Sequence, residues 1–183
     1  MDPINRLRMG IAVVWLGVLG IVVAAQDKYT VKVPGGLGFD EFRGYEEWET
    51  ISVGRNERLF GVILGNPVMI AAYRAGIPGN GQPVPDGAKM AKIHWTPKPS
   101  EFFPDATVPG TLFNVDFMVK DGRRFSDSGG WGYAVFDYDA ASGTFKPGTK
   151  GSVPPQGNDA KCGLACHTKA KSRDYVFTEY GKR

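Results

Sequence analysis

Three residues in one short segment could do chemistry together. Cys162 and Cys166 are separated by Gly-Leu-Ala, and His167 follows directly. Two thiols beside an imidazole fit a metal ligand set, a local disulfide, or the attachment site of a c-type haem. A bridge between residues four apart closes almost no loop and adds little stability. Zinc usually takes four ligands, so a zinc site would need the only other histidine, His94. Haem attachment uses all three residues at once. Each thiol reaches one vinyl group of the porphyrin, and the adjacent imidazole takes an axial position on iron. The usual spacing places two residues between the cysteines, and this chain has three. The segment therefore predicts covalently attached haem c, with Cys162 and Cys166 as the anchors and His167 as the iron ligand.

The residues after the motif interleave bases with aromatic rings. Lys169, Lys171 and Arg173 are followed by Tyr175, Phe177 and Tyr180. Two readings stand side by side. The bases surround haem propionates while the rings pack on the porphyrin, or a solvated basic turn precedes ordinary core aromatics.

Haem c chemistry implies export, and the N-terminus agrees. Arg6 and Arg8 precede an uncharged apolar run from Met9 to Ala25, and Val23-Ala24-Ala25 forms a small-residue cleavage site before Gln26. The expectation is a signal peptide over residues 1–25 and a single haem domain over 26–183, located in a bacterial periplasm. The alternative is an uncleaved anchor, since a run of about 17 apolar residues lies at the lower limit for spanning a bilayer.

The elements that must position this site read as short strands and turns. Gly (25) and Pro (13) are abundant, which disfavours a helix bundle. Phe39, Phe42, Tyr45 and Trp48 recur every three residues, a helix-like spacing. Strand-like runs follow at 50–53 and 59–64. Asn66-Pro67 predicts a helix N-cap with Pro in the first turn, the helix ending near Ala75 before Gly76 and Pro78. Residues 89–97 read as a strand. Over 112–120, Phe113, Val115, Phe117 and Val119 share one face, with Asn114, Asp116, Met118 and Lys120 on the other. Asp121-Gly122 is a turn, and 131–138 is the partner strand. A Gly- and Pro-rich connection over 148–157 leads to the cysteines. The expected fold class is α+β, mainly antiparallel β-sheet with a few short helices. The net charge of +3 is too small for a nucleic-acid binder that works by neutralising phosphates.

In its order of pieces the chain resembles the cytochrome P460 family, which is related to the β-type cytochromes c-prime. The resemblance runs through Tyr45-Glu-Glu-Trp48, the 58–65 strand, Asn66-Pro67, the segment from Pro85 to Trp95, and the strand from Gly130 to Phe136. Its most specific part is residues 162–180, with Cys-His-Thr and then Asp174-Tyr-Val-Phe-Thr178. The resemblance implies a small β cytochrome, often a homodimer, with five-coordinate haem on a proximal histidine. Members that are enzymes oxidise hydroxylamine and carry a lysine joined to the porphyrin edge. A related branch without that link binds nitric oxide or carbon monoxide. An enzyme would pass its electrons to another soluble cytochrome.

Lys92 matches the lysine of that segment, and Lys89 competes with it. Strand parity separates them, because Met90, Lys92 and His94 share one face while Lys89, Ala91, Ile93 and Trp95 share the other. His94 has three readings: a sixth iron ligand, a distal acid or base in hydroxylamine oxidation, or a polar strand residue. Asp116 and Asp127 are further candidate bases, and Met69, Met90 and Met118 are candidate axial thioethers. The functions left open are a hydroxylamine-oxidising enzyme with Lys92 and His94 at its site, a nitric oxide or gas binder, a plain electron carrier, and a haem-free exported domain.

Overall fold

The computed structural model describes residues 25–33, 36–148 and 163–182. The expected signal peptide (save Ala25), nearly all of the 148–157 connection and Cys162 lie outside the described residues. Among the described residues one six-stranded antiparallel sheet dominates. Its strands lie in the order of the chain: β1 (Glu49–Arg55), β2 (Phe60–Gly65), β3 (Lys89–Pro99), β4 (Thr107–Lys120), β5 (Trp131–Asp139) and β6 (Thr144–Pro147). The α+β, mainly β expectation holds.

One α-helix, α1 (Pro67–Arg74), follows β2. It begins where the Asn-Pro signal places it. The Asn66 side chain accepts from the Met69 amide at 3.0 Å, and Pro67 fills a first-turn position whose N–H has no helical partner. The every-third-residue aromatics form two 3-10 helices, Phe39–Phe42 and Tyr45–Glu47, rather than one α-helix. A spacing of three matches three residues per turn, so Phe39, Phe42 and Tyr45 all face inward. Gly44 at φ 79° separates the two pieces.

The two faces of the sheet differ. One is sealed. Ala91, Ile93, Val115, Phe117 and Phe136 meet Phe39, Phe42 and Tyr45 in a continuous apolar core. Phe39 sits at its centre, with the rings of Phe117, Phe136 and Phe145 at 5.3, 4.7 and 5.0 Å. Phe113 shares the parity of Val115 yet is exposed, because the β3–β4 register shifts between the His94–Asn114 and Trp95–Leu112 pairs, skipping Phe113, and Leu112 packs on the core instead. The other face carries α1 and the C-terminal segment on a second core that includes Ile51, Met69, Ile70, Trp131 and Val176.

Strand register sets three rows of side chains across this second face. Gly65, Met90, Met118 and Tyr133 form one row. Ile63, Lys92, Asp116 and Val135 form the next, and Gly61, His94, Asn114 and Asp137 the third. The middle row sets a lysine and a carboxylate between a mostly apolar row and a row that carries His94, Asn114 and Asp137.

Candidate functional site

A cavity of about 470 Å³ lies over the first two rows. Its sheet side includes Ile63, Met90, Lys92, Asp116, Met118 and Tyr133. Its other wall is the C-terminal segment, with Gly163, Cys166, His167, Phe177 and Thr178. A mostly apolar hollow of this size with a few polar groups is a small-molecule or cofactor site.

Residues 163–167 are helical, and a 3-10 helix, Thr168–Arg173, continues from them. Gly163 packs against the Tyr133 ring, where a Cβ would come within 3.0 Å. A side chain at this position would push the segment off the sheet. His167 Nδ1 lies 2.6 Å from the carbonyl oxygen of Tyr175. A carbonyl only accepts, so Nδ1 carries the proton and Nε2 keeps its lone pair. Burial pushes the imidazole pKa down. The hydrogen bond to Tyr175 opposes that, and the charge of Lys92 adds to it. The result is a neutral, oriented imidazole, the form that binds iron. The rings of Tyr133 and Phe177 flank it at 5.3 and 4.9 Å.

The residues fit a haem. Cys166 lines the cavity beside His167, as attachment requires. The Tyr133 hydroxyl is buried and has no hydrogen-bond partner among the described residues. Leaving such a group unsatisfied costs about 1–3 kcal/mol, a penalty that a polar atom of a bound group would remove. Burial also holds the Tyr133 phenol well above its ordinary pKa, so it stays a donor.

The two lysines separate as parity predicts. Lys92 lines the cavity, whereas Lys89 on the opposite face donates to the backbone carbonyl of Glu41 and lies over the Phe42 ring. His94 is not among the residues lining the main cavity. It lines an adjoining hollow of about 260 Å³ with Ser52, Arg55, Asn56 and Gly61, and Ile63 and Lys92 border both spaces. Its Nδ1 pairs with the side-chain oxygen of Asn114 at 2.7 Å, and Asp116 Oδ2 lies 3.5 Å from the same nitrogen. Burial pushes the pKa of His94 down, the Asn114 hydrogen bond opposes, and Lys92 adds to the depression.

Asp116 lines the main cavity, while Asp127 is exposed on the 3-10 helix Ser126–Ser128, away from it. Met90 and Met118 line the cavity, and Met69 is buried in the second core. None of the tail bases lines it. Lys169 and Lys171 are exposed, and Arg173 pairs with Glu179 at 2.9 Å. Of the tail aromatics, Phe177 lines the cavity and Tyr180 stacks on Tyr73 at 5.6 Å. Among the described residues the bases lie away from the cavity, and one of the tail aromatics, Phe177, lines it. Tyr133 is the residue that sequence reasoning missed. Its place depends on the β4–β5 register, which sets it directly across from Met118.

The family described as Cytochrome P460 matches residues 42–178, a span that takes in all six strands, α1 and the C-terminal wall of the cavity through Thr178. No curated protein matches the chain.

Proposed function

The chain belongs to the cytochrome P460 family of haem cytochromes, and from that premise we propose that it is a periplasmic monohaem c-type cytochrome that oxidises hydroxylamine. The observation that carries this reading is the pairing of two features across one cavity. A neutral histidine with Nε2 unprotonated stands on one wall, and Lys92 beside a carboxylate stands on the other.

Cys162 and Cys166 would hold the haem by thioether bonds, and His167 Nε2 would be the axial ligand. When bound, the haem supplies the electron-accepting metal and an open coordination position. The protein supplies orientation, exclusion of water and proton acceptors. Oxidising hydroxylamine releases protons as well as electrons, and Asp116 reaches the cavity to take one. His94 Nδ1 faces the Asn114 oxygen and so carries the ring proton; 3.5 Å from Asp116 Oδ2, it would steady that carboxylate rather than take its proton. The amine of Lys92 is the group that would join the porphyrin edge. A soluble cytochrome would receive the electrons, and the chain would work as a homodimer.

The test is the ultraviolet–visible spectrum of the ferrous protein, made in a host with c-type haem maturation, beside Lys92→Ala. The expected result is a strongly red-shifted Soret band that the substitution abolishes, together with reduction of the wild type by hydroxylamine. An ordinary high-spin c-type spectrum, the same in both proteins, would sink the cross-link and favour a gas-binding cytochrome.

A further inference from the structure

The carbonyl that holds His167 belongs to an unusual piece of backbone. Asp174 and Tyr175 are consecutive non-glycine residues with left-handed φ values of 48° and 65°. Such a conformation persists only where the surroundings over-determine it. The two residues cap the preceding 3-10 helix, with the Asp174 and Tyr175 amides donating to the Lys171 and Ala170 carbonyls at 3.1 and 2.9 Å, and further constraints come from outside the segment. Lys120, the last residue of β4, is buried, and its ammonium donates to both carboxylate oxygens of Asp174 at 2.9 and 2.8 Å. Its third donor goes to the Gly129 carbonyl at 3.0 Å. Asp174 Oδ2 also accepts from the Val84 amide at 2.8 Å, and the backbone carbonyl of Asp174 accepts from Trp131 Nε1 at 2.8 Å. The Lys120 ammonium lies 5.2 Å from the centre of the Trp131 ring. Gly129, itself at φ 69°, leaves room for the Tyr175 ring, since a Cβ there would come within 2.3 Å of it. The next carbonyl along the chain, that of Tyr175, is the one 2.6 Å from His167 Nδ1.

We propose that Lys120 and Asp174 are positioning residues for the proximal histidine. Their buried ion pair locks the left-handed turn that aims the Tyr175 carbonyl at His167, and so sets how strongly that imidazole donates to iron. This rests on the reading of His167 as the haem ligand. A short hydrogen bond from Nδ1–H raises the basicity of the ligating nitrogen and favours the oxidised metal. The lock therefore holds the reduction potential down. Neither Lys120 nor Asp174 lines the cavity, and their link to His167 runs through the Tyr175 carbonyl.

The experiment uses the full-length holoprotein and three readings: a haem stain of the denatured chain, the iron–histidine stretching frequency of the ferrous state by resonance Raman spectroscopy, and the reduction potential. The principal variant is the double substitution Lys120→Met/Asp174→Asn, which removes both charges together and keeps a side chain that tolerates the left-handed turn. The expected result is retained haem, a lower stretching frequency and a higher potential than wild type. Trp131→Phe, which removes one hydrogen bond to the turn and keeps an aromatic ring under the ammonium, shifts both readings the same way by less. A folded, haem-bearing double variant with wild-type frequency and potential overturns the proposal. Should the double variant not fold, Trp131→Phe decides by the same two readings. A wild-type chain that fails the haem stain overturns the underlying reading of the site, a different failure from haem present and readings unmoved.

Discussion

The two faces of the sheet share the same four central strands and are built on opposite terms. On the sealed face, Ala91, Ile93, Val115, Phe117 and Phe136 join one apolar cluster with Phe39, Phe42 and Tyr45 of the N-terminal 3-10 segment. On the open face, alternate residues of the same strands include Lys92, His94, Asn114, Asp116 and Tyr133, whose hydroxyl has no partner among the described residues. A period of two sends successive residues to opposite sides, so a single strand serves stability and chemistry without compromise between them. The sealed face stabilises the sheet, and the open face can then carry polar groups that a core would reject.

If that division is right, the largest effect belongs to the sealed face. Phe39→Ala removes the ring at the centre of the aromatic cluster and is expected to cost about 3–5 kcal/mol, read as a lower denaturant midpoint with an unchanged slope. A loss under 1 kcal/mol would break the comparison. On the open face the sign should reverse. Tyr133→Phe deletes a buried hydroxyl that has no partner among the described residues, and the haem-free chain is expected to gain up to about 1–3 kcal/mol. Loss of stability in that variant would mean that the hydroxyl is satisfied and that the open face is as finished as the other.

A smaller, pH-dependent effect follows from His94. Its folded pKa lies below the ordinary value of 6.5, chiefly through burial. Lys92 and Arg55 face it as like charges, while Asn114 and Asp116 favour its protonation. Above pH 6.5 the group is neutral in both states and its contribution is fully present. As pH falls below 6.5 the unfolded chain takes up a proton that the folded chain resists, and stability is lost until the folded pKa is passed. His94→Gln should flatten that part of the curve in thermal melts of the haem-free chain. The smallest effect is expected at Lys92→Ala, within about 0.5 kcal/mol by thermal melting, since its exposed side chain carries no core packing. A larger loss would assign Lys92 to the fold rather than to the site.

Local patterns in the sequence carried much of this arrangement. The alternation over 113–119 marked the sealed face, parity separated Lys92 from Lys89, and Asn66-Pro67 located the start of α1. What was not legible depends on partners far along the chain. Lys120 reads as the end of a strand, and Asp174 lies 54 residues away. Nothing in either neighbourhood announces a buried pair. Tyr133 was assigned to a strand, but its place in the cavity depends on the register of β4 against β5, which a turn of uncertain length left open. The extension of the β3–β4 hairpin past Trp95, and with it the exposure of Phe113, follows from two register shifts in that pairing that no local pattern signals.

The strand order of the sheet also orders events during synthesis. Each strand pairs only with the strands next to it in sequence, so every hairpin can close once its second strand has left the ribosome, and pairing is complete at Pro147. The segment that walls the cavity is the exception. Residues 163–180 emerge after all six strands and lie against strands made long before. The nascent chain thus passes through a stage in which its scaffold is finished while the wall bearing His167 has not yet been translated.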